Sequence, residues 1–292
     1  MMSRILIRFL MLSVLAAPAL FPQGATIQAT APSPNRMVGQ LRSPGVASQS
    51  QATPLGLVRR NDVVFPHLVT GNGWETLLVI TNIGNTTVDF NQYFYDETGS
   101  PMSVRLRTIP DNELIDTTAV VGHLPVGTSV SITLYDATAY TISGWSNMDY
   151  DSVSGRLGGY AAFRLRAGGV VNEGLVPLSS SEDTAFAMPF DNSQGFATGI
   201  ALTNPASNLI NHVQVVALDR NGTQIASDAL MISASGHRSY VLTDRMPAVA
   251  GQIGTLVVTS DLTKLSAVGI RMNVAGGMTF TSIPIMSWVP GL

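Results

Sequence analysis

The chain contains no cysteine and few charged residues. Asp, Glu, Lys and Arg make up 12% of its 292 residues, against about 25% in typical globular domains. The absence of cysteine excludes disulfides and a lipid-modified cysteine anchor. A net charge of −3 without a basic patch predicts no nucleic-acid partner. Because a weakly charged surface repels its neighbours weakly, we expect a protein partner or self-association.

The N-terminus has the pattern of a secretory signal peptide. Arg4 and Arg8 are the positive start, an apolar run follows, and Ala17-Pro18-Ala19 fits a small-residue cleavage site. The apolar run is shorter than the roughly 20 residues of a membrane span. We therefore predict a signal peptide over residues 1–19 and no integral membrane span after its removal. The predicted location is secreted, extracellular or cell-surface, with the periplasm as the alternative.

Residues 20–61 are predicted to be a disordered linker, since they are rich in Pro, Ser and Gln and have no apolar period. Such a segment cannot bury enough surface to offset the entropy cost of ordering it. From Asp62 onward, short alternating or β-branched runs are closed by Gly, Pro, Asn or Asp, and none holds a helical apolar stripe for three turns. The pattern predicts an all-β, antiparallel β-sandwich fold.

The folded part is duplicated. The segment Gly73–Asn82 reappears as Gly195–Asn204, and the turns Asp96–Gly99 and Asp219–Gly222 occupy matching places. In such turns the Asp side chain accepts backbone N–H bonds and Gly takes the left-handed conformation. We predict two tandem immunoglobulin-like sandwiches, repeat 1 over residues 62–180 and repeat 2 over residues 181–292.

Positions shared by both repeats are expected to hold the fold. Leu78 and Ile80 should face one core and their counterparts Ile200 and Leu202 the other. The amides of Asn82 and Asn204, at the strand ends, should bond backbone groups of the following turns.

Arg164 aligns with Arg271 when residues are counted back from the prolines at 177 and 284. Each arginine lies between apolar neighbours in a predicted strand. The pair indicates either an anion site in each repeat or two guanidiniums that lie on the outer face or pair with local carboxylates. We favour the second interpretation.

The repeats also differ, and the differences lie in repeat 1. Spacing predicts an insertion there, a hairpin around Thr108–Val121, and a longer loop at Asp149–Gly159. Leu77 and Val79 correspond to the small residues Gly199 and Ala201. An apolar patch on an outer face usually marks an interface. We expect this face of repeat 1 to pack on repeat 2 or on a partner.

Aromatic and acidic residues supply two further candidate sites. Trp145 and Tyr150 flank the longer loop, and Tyr93 and Tyr95 share one face of a strand, so these rings could stack on a carbohydrate. Asp149 and Asp151 alternate in the same loop, and two carboxylates can share a calcium ion. The full calcium-loop pattern with its late Glu is missing, so we favour a solvated acidic loop and predict no cofactor.

Catalytic motifs are missing from the sequence. Neither G-x-S-x-G nor H-E-x-x-H occurs, and the four histidines lie far apart, without i, i+2 or i+4 partners. We predict a non-enzymatic adhesion, scaffold or assembly module. The alternatives are a carbohydrate-binding module and a hydrolase whose site is assembled from distant loops.

Four short elements carry a resemblance, and they are Phe65-Pro66, Gly73-Trp74 through Thr81-Asn82, Phe163-Arg164-Leu165 and Val176-Pro177. The pattern resembles a loosely defined group of uncharacterised bacterial exported proteins with tandem β-sandwich repeats. The resemblance implies a fold and an exported location. Its motifs are structural, so it transfers no catalytic residues.

Overall fold

The computed structural model describes residues 26–30, 60–107, 114–151, 155–167, 169–178, 183–275 and 279–289. The predicted signal peptide lies outside these ranges, as does most of the predicted linker. The described residues form antiparallel sheets joined by turns and loops, which confirms the all-β fold class. The exceptions are one short helix, α1 (Leu242–Arg245), and a 3-10 turn, Pro247–Val249. Within these ranges, no helix is long and apolar enough to span a membrane.

The first two sheets form a sandwich with strand orders β1-β7-β4-β9-β2 and β11-β10-β3-β8-β5-β6. Their strands are β1 Thr26–Thr30, β2 Arg60–Thr70, β3 Trp74–Asn82, β4 Val88–Asp96, β5 Val104–Arg107, β6 Leu114–Thr117, β7 Ala119–Leu124, β8 Ser129–Tyr135, β9 Ile142–Asp151, β10 Leu157–Ala167 and β11 Val170–Pro177.

The other two sheets have strand orders β15-β14-β17-β12-β20 and β16-β13-β18-β19. Their strands are β12 Ala185–Asp191, β13 Phe196–Thr203, β14 Asn211–Leu218, β15 Gln224–Ile232, β16 His237–Val241, β17 Ile253–Ser260, β18 Ser266–Asn273, β19 Thr279–Ile283 and β20 Met286–Ser287.

The duplication of the sequence is also present in the strand order. The run β7-β4-β9-β2 has the same order as β15-β14-β17-β12, and β11-β10-β3-β8 has the same order as β19-β18-β13-β16. Each strand of one run therefore has a counterpart in the other. These eight pairs of strands provide a structural numbering that relates the repeats more reliably than spacing along the chain.

The insertion in repeat 1 is displaced from its predicted place. The extra strands are β5 and β6, which pair with each other and extend the sheet from β8. Residues from Ala119 onward belong to β7, the counterpart of β15. The predicted hairpin Thr108–Val121 is therefore wrong at both ends, because spacing gives the length of an insertion without its position. Residues 108–113 lie outside the described ranges.

One segment of the predicted linker is a strand. Thr26–Thr30 forms β1, which pairs antiparallel with β7 from Thr26 opposite His123 to Thr30 opposite Ala119. The linker prediction is wrong for these five residues and for Arg60 and Asn61, which begin β2. Composition could not identify them, because an unpaired strand edge supplies backbone hydrogen-bond partners to almost any extended segment.

The predicted long loop of repeat 1 begins later than expected. Asp149, Tyr150 and Asp151 are the last residues of β9 and pair with β2. The next strand starts at Leu157, and residues 152–154 lie outside the described ranges. The loop was predicted from the longer spacing in repeat 1, and spacing gives the length of an insertion without showing where a strand ends.

Two apolar clusters fill the sandwiches. That of repeat 1 includes Phe65, Leu78, Ile80, Phe90, Phe94, Leu134 and Phe163. That of repeat 2 includes Met188, Phe190, Ile200, Leu202, Val215 and Leu256. The inward orientation predicted for Leu78, Ile80, Ile200 and Leu202 is confirmed.

The matched strand ends and turns are formed as predicted. The Asn82 amide nitrogen donates to the carbonyls of Thr86 (2.7 Å) and Leu124 (2.9 Å). The Asn204 amide nitrogen donates to the carbonyls of Leu209 (2.7 Å) and Ser233 (2.9 Å). Both amides are buried, so they satisfy main-chain carbonyls that would otherwise lose their hydrogen bonds.

Candidate functional site

Repeat 2 packs against repeat 1 through the outer face of one of its sheets. Ala201 of β13, Val268 of β18 and Phe280 of β19 belong to the apolar cluster of repeat 1, although they come from repeat 2. The Phe280 ring lies 5.3 Å from the ring of Trp74. The sheet thus lies against the side of repeat 1 bounded by the edge strands β2 and β11. We call this contact the junction.

Hydrogen bonds link the two repeats around the apolar centre of the junction. The Thr203 hydroxyl donates to the Pro66 carbonyl at 2.8 Å, and the Trp145 Nε1 donates to the Ser235 carbonyl at 2.7 Å. The backbone N–H of His237 donates to the Glu97 carbonyl at 3.1 Å. Main-chain groups are partners in all three bonds, so the junction depends on the backbone positions of both repeats.

Two histidines from different repeats meet in the junction. The pairing of β2 with β9 shifts between Phe65 and Leu68, and such irregularities redirect side chains. The His67 Nδ1 lies 3.1 Å from the His237 Nε2, and the rings stack with centroids 5.2 Å apart. The rings of His67 and Phe163 are in a T-shaped arrangement, with centroids 5.3 Å apart.

Burial favours the neutral form of both rings. It lowers the pKa of His67 to about 4. The pKa of His237 is also well below its ordinary value, through burial first and then through the positive charges that His67 and Arg238 can carry. One neutral imidazole can donate to the other, whereas two protonated rings would place two donors and two positive charges face to face.

Leu77 and Val79 lie on the outer face of repeat 1, outside the junction. Both are half-buried, and neither belongs to the cluster that joins the repeats. Strand pairing places Val79 opposite Tyr160 and Leu77 opposite Ala162, which in turn lies opposite Leu175. Tyr160 is 38% exposed and Leu175 49%. We call Leu77, Val79, Tyr160 and Leu175 the Leu77 patch.

The same sheet face is covered in repeat 2 and uncovered in repeat 1. Val79 corresponds to Ala201, which is buried in the junction, so repeat 2 presents its small residues to repeat 1. Small side chains let two backbones approach closely, and the bulky counterparts in repeat 1 remain at the surface. The difference between the repeats predicted from sequence is therefore real, but it is the small face that carries the observed contact.

This exchange of small and large residues gives a matched pair of variants. Ala201→Val adds two methyl groups inside a packed junction, where overpacking typically costs about 1–3 kcal/mol of unfolding free energy. The reverse change, Val79→Ala, removes the same groups from a half-exposed site and should cost well under half as much. Urea unfolding of both variants measures the difference; equal costs would contradict the close packing at Ala201.

The two arginines do not occupy equivalent positions. Thr76 and Thr198 are counterparts in the repeated segment, and Thr76 pairs with Phe163, whereas Thr198 pairs with Arg271. Arg271 thus corresponds to Phe163, and Arg164 corresponds to Met272. The predicted alignment is wrong by one residue, because the hairpin leading to the shared proline is one residue shorter in repeat 2.

A one-residue shift in a strand moves a side chain to the opposite face of the sheet. Arg164 lies on the outer face, paired with Glu173 and with Glu75 at 3.4 Å. Arg271 is paired with Asp191 at 2.7 Å and lies over the Phe196 ring at 3.3 Å. Each guanidinium therefore has a local carboxylate, as favoured from sequence, and the two do not form a repeated anion site.

The candidate aromatic residues divide between two environments. Tyr93, Tyr95 and Trp145 share the outer face of the β4–β9 pair, since Tyr95 pairs directly with Trp145. Trp145 is 1% exposed, stacks on Tyr95 and bonds to repeat 2, so its ring anchors the junction. Tyr150 belongs to the core of repeat 1. Trp145 and Tyr150 are therefore covered by protein, whereas Tyr93 is 37% exposed on the outer face.

The candidate calcium ligands are strand residues. Asp149 is buried on the outer face of its sheet, opposite Asn91, and the backbone of Asp151 pairs with that of Arg60. The structure does not describe the side chain of Asp151. Among the described residues, no group of three His, Cys, Asp or Glu side chains could hold a metal ion.

A shallow groove on repeat 2 contains a His, an Asp and a Ser. His212 Nδ1 lies 2.9 Å from Asp261 Oδ2. The Ser260 hydroxyl, in the same groove, has a single proton and two acceptors within reach, the Asn211 side-chain oxygen at 2.7 Å and the Thr263 carbonyl. Because the hydroxyl points at these acceptors, the histidine has no serine to activate, and the three residues do not form a nucleophile–base pair.

Sequence reasoning missed the residues that form the junction. His67 and His237 are 170 positions apart, and neither lies in a motif, so no spacing could pair them. Glu97 lies in a turn that both repeats share, yet in repeat 1 alone this turn contacts the other repeat. The signal that was available was the contrast of Val79 with Ala201.

Comparisons with protein-family models, curated proteins and solved structures found no match. The fold and the junction define the chain as an all-β protein in which two sandwiches of equivalent strand order pack on each other.

Proposed function

We propose that this chain is a non-enzymatic adhesion, scaffold or assembly module that acts outside the cytoplasm, at the cell surface or in the extracellular medium. The observation that carries the proposal is the Leu77 patch, an apolar surface on the outer face of a sheet. Exposed apolar patches with a polar rim mark sites of interaction, among them protein interfaces.

The surroundings of the patch support a docking role. Glu75 is buried beside it and pairs with Arg164 and with Arg166, the latter at 3.2 Å. These ion pairs form a polar border along one side of the apolar residues. An apolar centre with a charged rim is the usual composition of a protein–protein contact.

A second copy of the chain is the occupant that the duplication favours. The counterpart of this face in repeat 2 is covered by a sandwich of the same kind, namely repeat 1. The outer face of the sheet that contains β13 is therefore a surface on which such a sandwich can pack. In repeat 1 the same face is open to solvent, so it can receive a sandwich from another molecule.

Sedimentation of the chain that begins after Ala19 tests the proposal. Leu77→Thr with Val79→Thr keeps a β-branched residue at each position but removes apolar contact area. We expect the double variant to raise the dissociation constant of self-association about tenfold, which corresponds to ~1.4 kcal/mol. The control is Val126→Thr, which changes an exposed valine in the turn after β7.

Association of the double variant as tight as that of the wild type, with the control also unchanged, contradicts docking through the Leu77 patch. A wild-type chain that stays monomeric up to about 1 mM contradicts it as well, since even a weak specific contact would be visible at that concentration.

A further inference from the structure

Several sheet edges have no partner strand in the described chain, and β15 is one of the long ones. β15 has nine residues and pairs only with β14. The other long edges contact another part of the chain. The Pro66 carbonyl of β2 accepts the Thr203 hydroxyl, and the backbone of β16 donates to Glu97. The β11 edge packs on β19, where Gly174 lies against Phe280.

The remaining edges are too short to be comparable. β6 has four residues and β20 has two, while β1 itself is a five-residue strand added to β7. Within the part of the chain that the structure describes, β15 is therefore a long edge that bonds to no strand other than β14. A long edge of this kind pairs readily with another strand.

β15 has only some of the features that protect an edge: its pairing with β14 shifts between Ala217 and Leu218, and Asp228 lies on the same face as the buried Leu230. Its sequence, QIASDALMI, contains no proline and no lysine, the residues that most often block edge-to-edge pairing. The single charged residue, Asp228, is paired with Arg245 of α1. Met231 is 65% exposed. α1 packs beside Asp228 through its side chains, and no described backbone group of α1 bonds to β15.

The counterpart of β15 in repeat 1 shows what such an edge accepts. β7 is extended by β1 in antiparallel register, so the outer edge of this sheet can carry one more strand. Asn91 and Gln214 are counterparts that pair with Val121 and Ala229, respectively. Val121, which lies opposite Gln28 of β1, therefore marks the place on β7 that Ala229 occupies on β15.

We propose that β15 pairs with β15 of a second copy of this chain, in antiparallel register about a two-fold axis. The pairing joins two five-stranded sheets into one continuous sheet. A strand that pairs antiparallel with its own copy uses the same surface on both molecules, so the contact closes as a dimer. Each molecule provides one β15 edge, so the dimer has no unpaired β15 edge.

The β1 segment of a second molecule is a weaker candidate for the strand that pairs with β15. Each chain has one β1, and β7 of the same chain already binds it. A segment attached to its own acceptor has a high effective concentration there, so a second molecule rarely captures it. The inference rests on the proposed role in assembly, but it concerns repeat 2, whereas the Leu77 patch lies on repeat 1.

Engineered cysteines test the pairing directly, because the chain has none of its own. Ser227, Ala229 and Met231 are exposed and share one face of β15. Each is changed to cysteine as the only cysteine of the full exported chain, and the variants are oxidised alone and in pairwise mixtures. A two-fold antiparallel pair brings at least one combination within the Cα distance of a disulfide, about 4.4–6.8 Å.

We expect a disulfide-linked dimer from one combination of β15 cysteines and none from Val121→Cys on β7, the control strand. A cross-link between Gln28→Cys and Ala229→Cys would instead make β1 of the second molecule the occupant and overturn the proposal. The absence of any β15 cross-link would also overturn it.

A lysine on the edge provides the second measurement. Met231→Lys should raise the dimer dissociation constant at least tenfold, because it places a lysine, a residue that blocks edge-to-edge pairing, on both strands of the shared edge. His123→Lys changes the counterpart position on β7 and should have no effect. If Met231→Lys loses the dimer and Leu77→Thr/Val79→Thr keeps it, the β15 pairing is supported and docking through the Leu77 patch is contradicted. If Leu77→Thr/Val79→Thr loses the dimer and Met231→Lys keeps it, the β15 pairing is overturned.

Discussion

Replacing Gly99 with alanine is expected to destabilise the protein several kcal/mol more than replacing Gly222 with alanine. The two glycines occupy equivalent turns with positive φ, 91° and 80°, so both variants incur the same backbone strain of about 1–2 kcal/mol. They differ in their surroundings. A Cβ at Gly99 would lie 2.1 Å from the Ala234 carbonyl oxygen, whereas a Cβ at Gly222 would contact nothing within 4 Å.

The additional cost at Gly99 comes from the junction. To relieve the clash, the turn must move away from residues 234–235, which strains the bond from Trp145 to the Ser235 carbonyl and the bond from His237 to Glu97. Each such hydrogen bond contributes about 1 kcal/mol, so we expect the free energy of unfolding of Gly99→Ala to fall by ~2–4 kcal/mol beyond that of Gly222→Ala.

Urea unfolding of the two alanine variants and the wild type measures this difference. Because the turns share sequence pattern, hydrogen bonds and backbone conformation, Gly222→Ala corrects for every effect within the turn. Equal losses in the two variants would mean that the turn at Gly99 does not support the junction in solution.

Acidification is expected to weaken the protein between pH 6.5 and about 4. The pKa of His67 is lowered from 6.5 to about 4 in the folded state, because burial disfavours the charged ring. The unfolded chain therefore binds a proton at pH 5 that the folded chain excludes. The stability is fully present above pH 6.5 and is lost as the pH falls towards 4.

The expected loss is substantial. Each pKa unit corresponds to 1.36 kcal/mol, so His67 accounts for a loss of about 3 kcal/mol once the pH is below 4. His237, whose pKa burial also lowers, adds to the loss in the same direction. Carboxyl groups act in a separate range: backbone bonds lower the pKa of Asp219 below 3.8, so its contribution is lost only at more acidic pH.

Urea unfolding at several pH values between 7.5 and 4 measures this dependence. The double variant His67→Gln with His237→Gln should be less stable at pH 7.5, yet lose less of its stability on acidification than the wild type. His123→Gln, a change to an exposed histidine outside the junction, is the control. A double variant with the full wild-type pH dependence would show that the junction histidines are not the titrating groups.

Much of the fold was predictable because it depends on local patterns. The turns at Asp96 and Asp219 have side-chain acceptors and a glycine at set positions, and the strand ends at Asn82 and Asn204 have buried amides. Leu78 and Ile80 alternate with outward residues. Each of these features acts over a few residues, so a single repeat was enough to reveal it and the second repeat confirmed it.

The errors came from features that depend on pairing partners. β1 was missed because its stability comes from the β7 edge. The arginine alignment was wrong because one hairpin is shorter than its counterpart, and a shift of one residue reverses the face of a strand. Trp145 was considered as an exposed ring, although a carbonyl from the other repeat binds and covers it.

The sequence by itself determined the all-β class, the duplication, the turns and the contrast between Val79 and Ala201, because these follow from periodicity and from the conformational preferences of single residues. The tertiary structure alone decided which face of each repeat is covered. Contact between His67 and His237, or between Thr203 and Pro66, joins residues more than a hundred positions apart, and no local interaction encodes such a pairing. Their meeting depends on how two completed sandwiches pack, which is a property of whole surfaces.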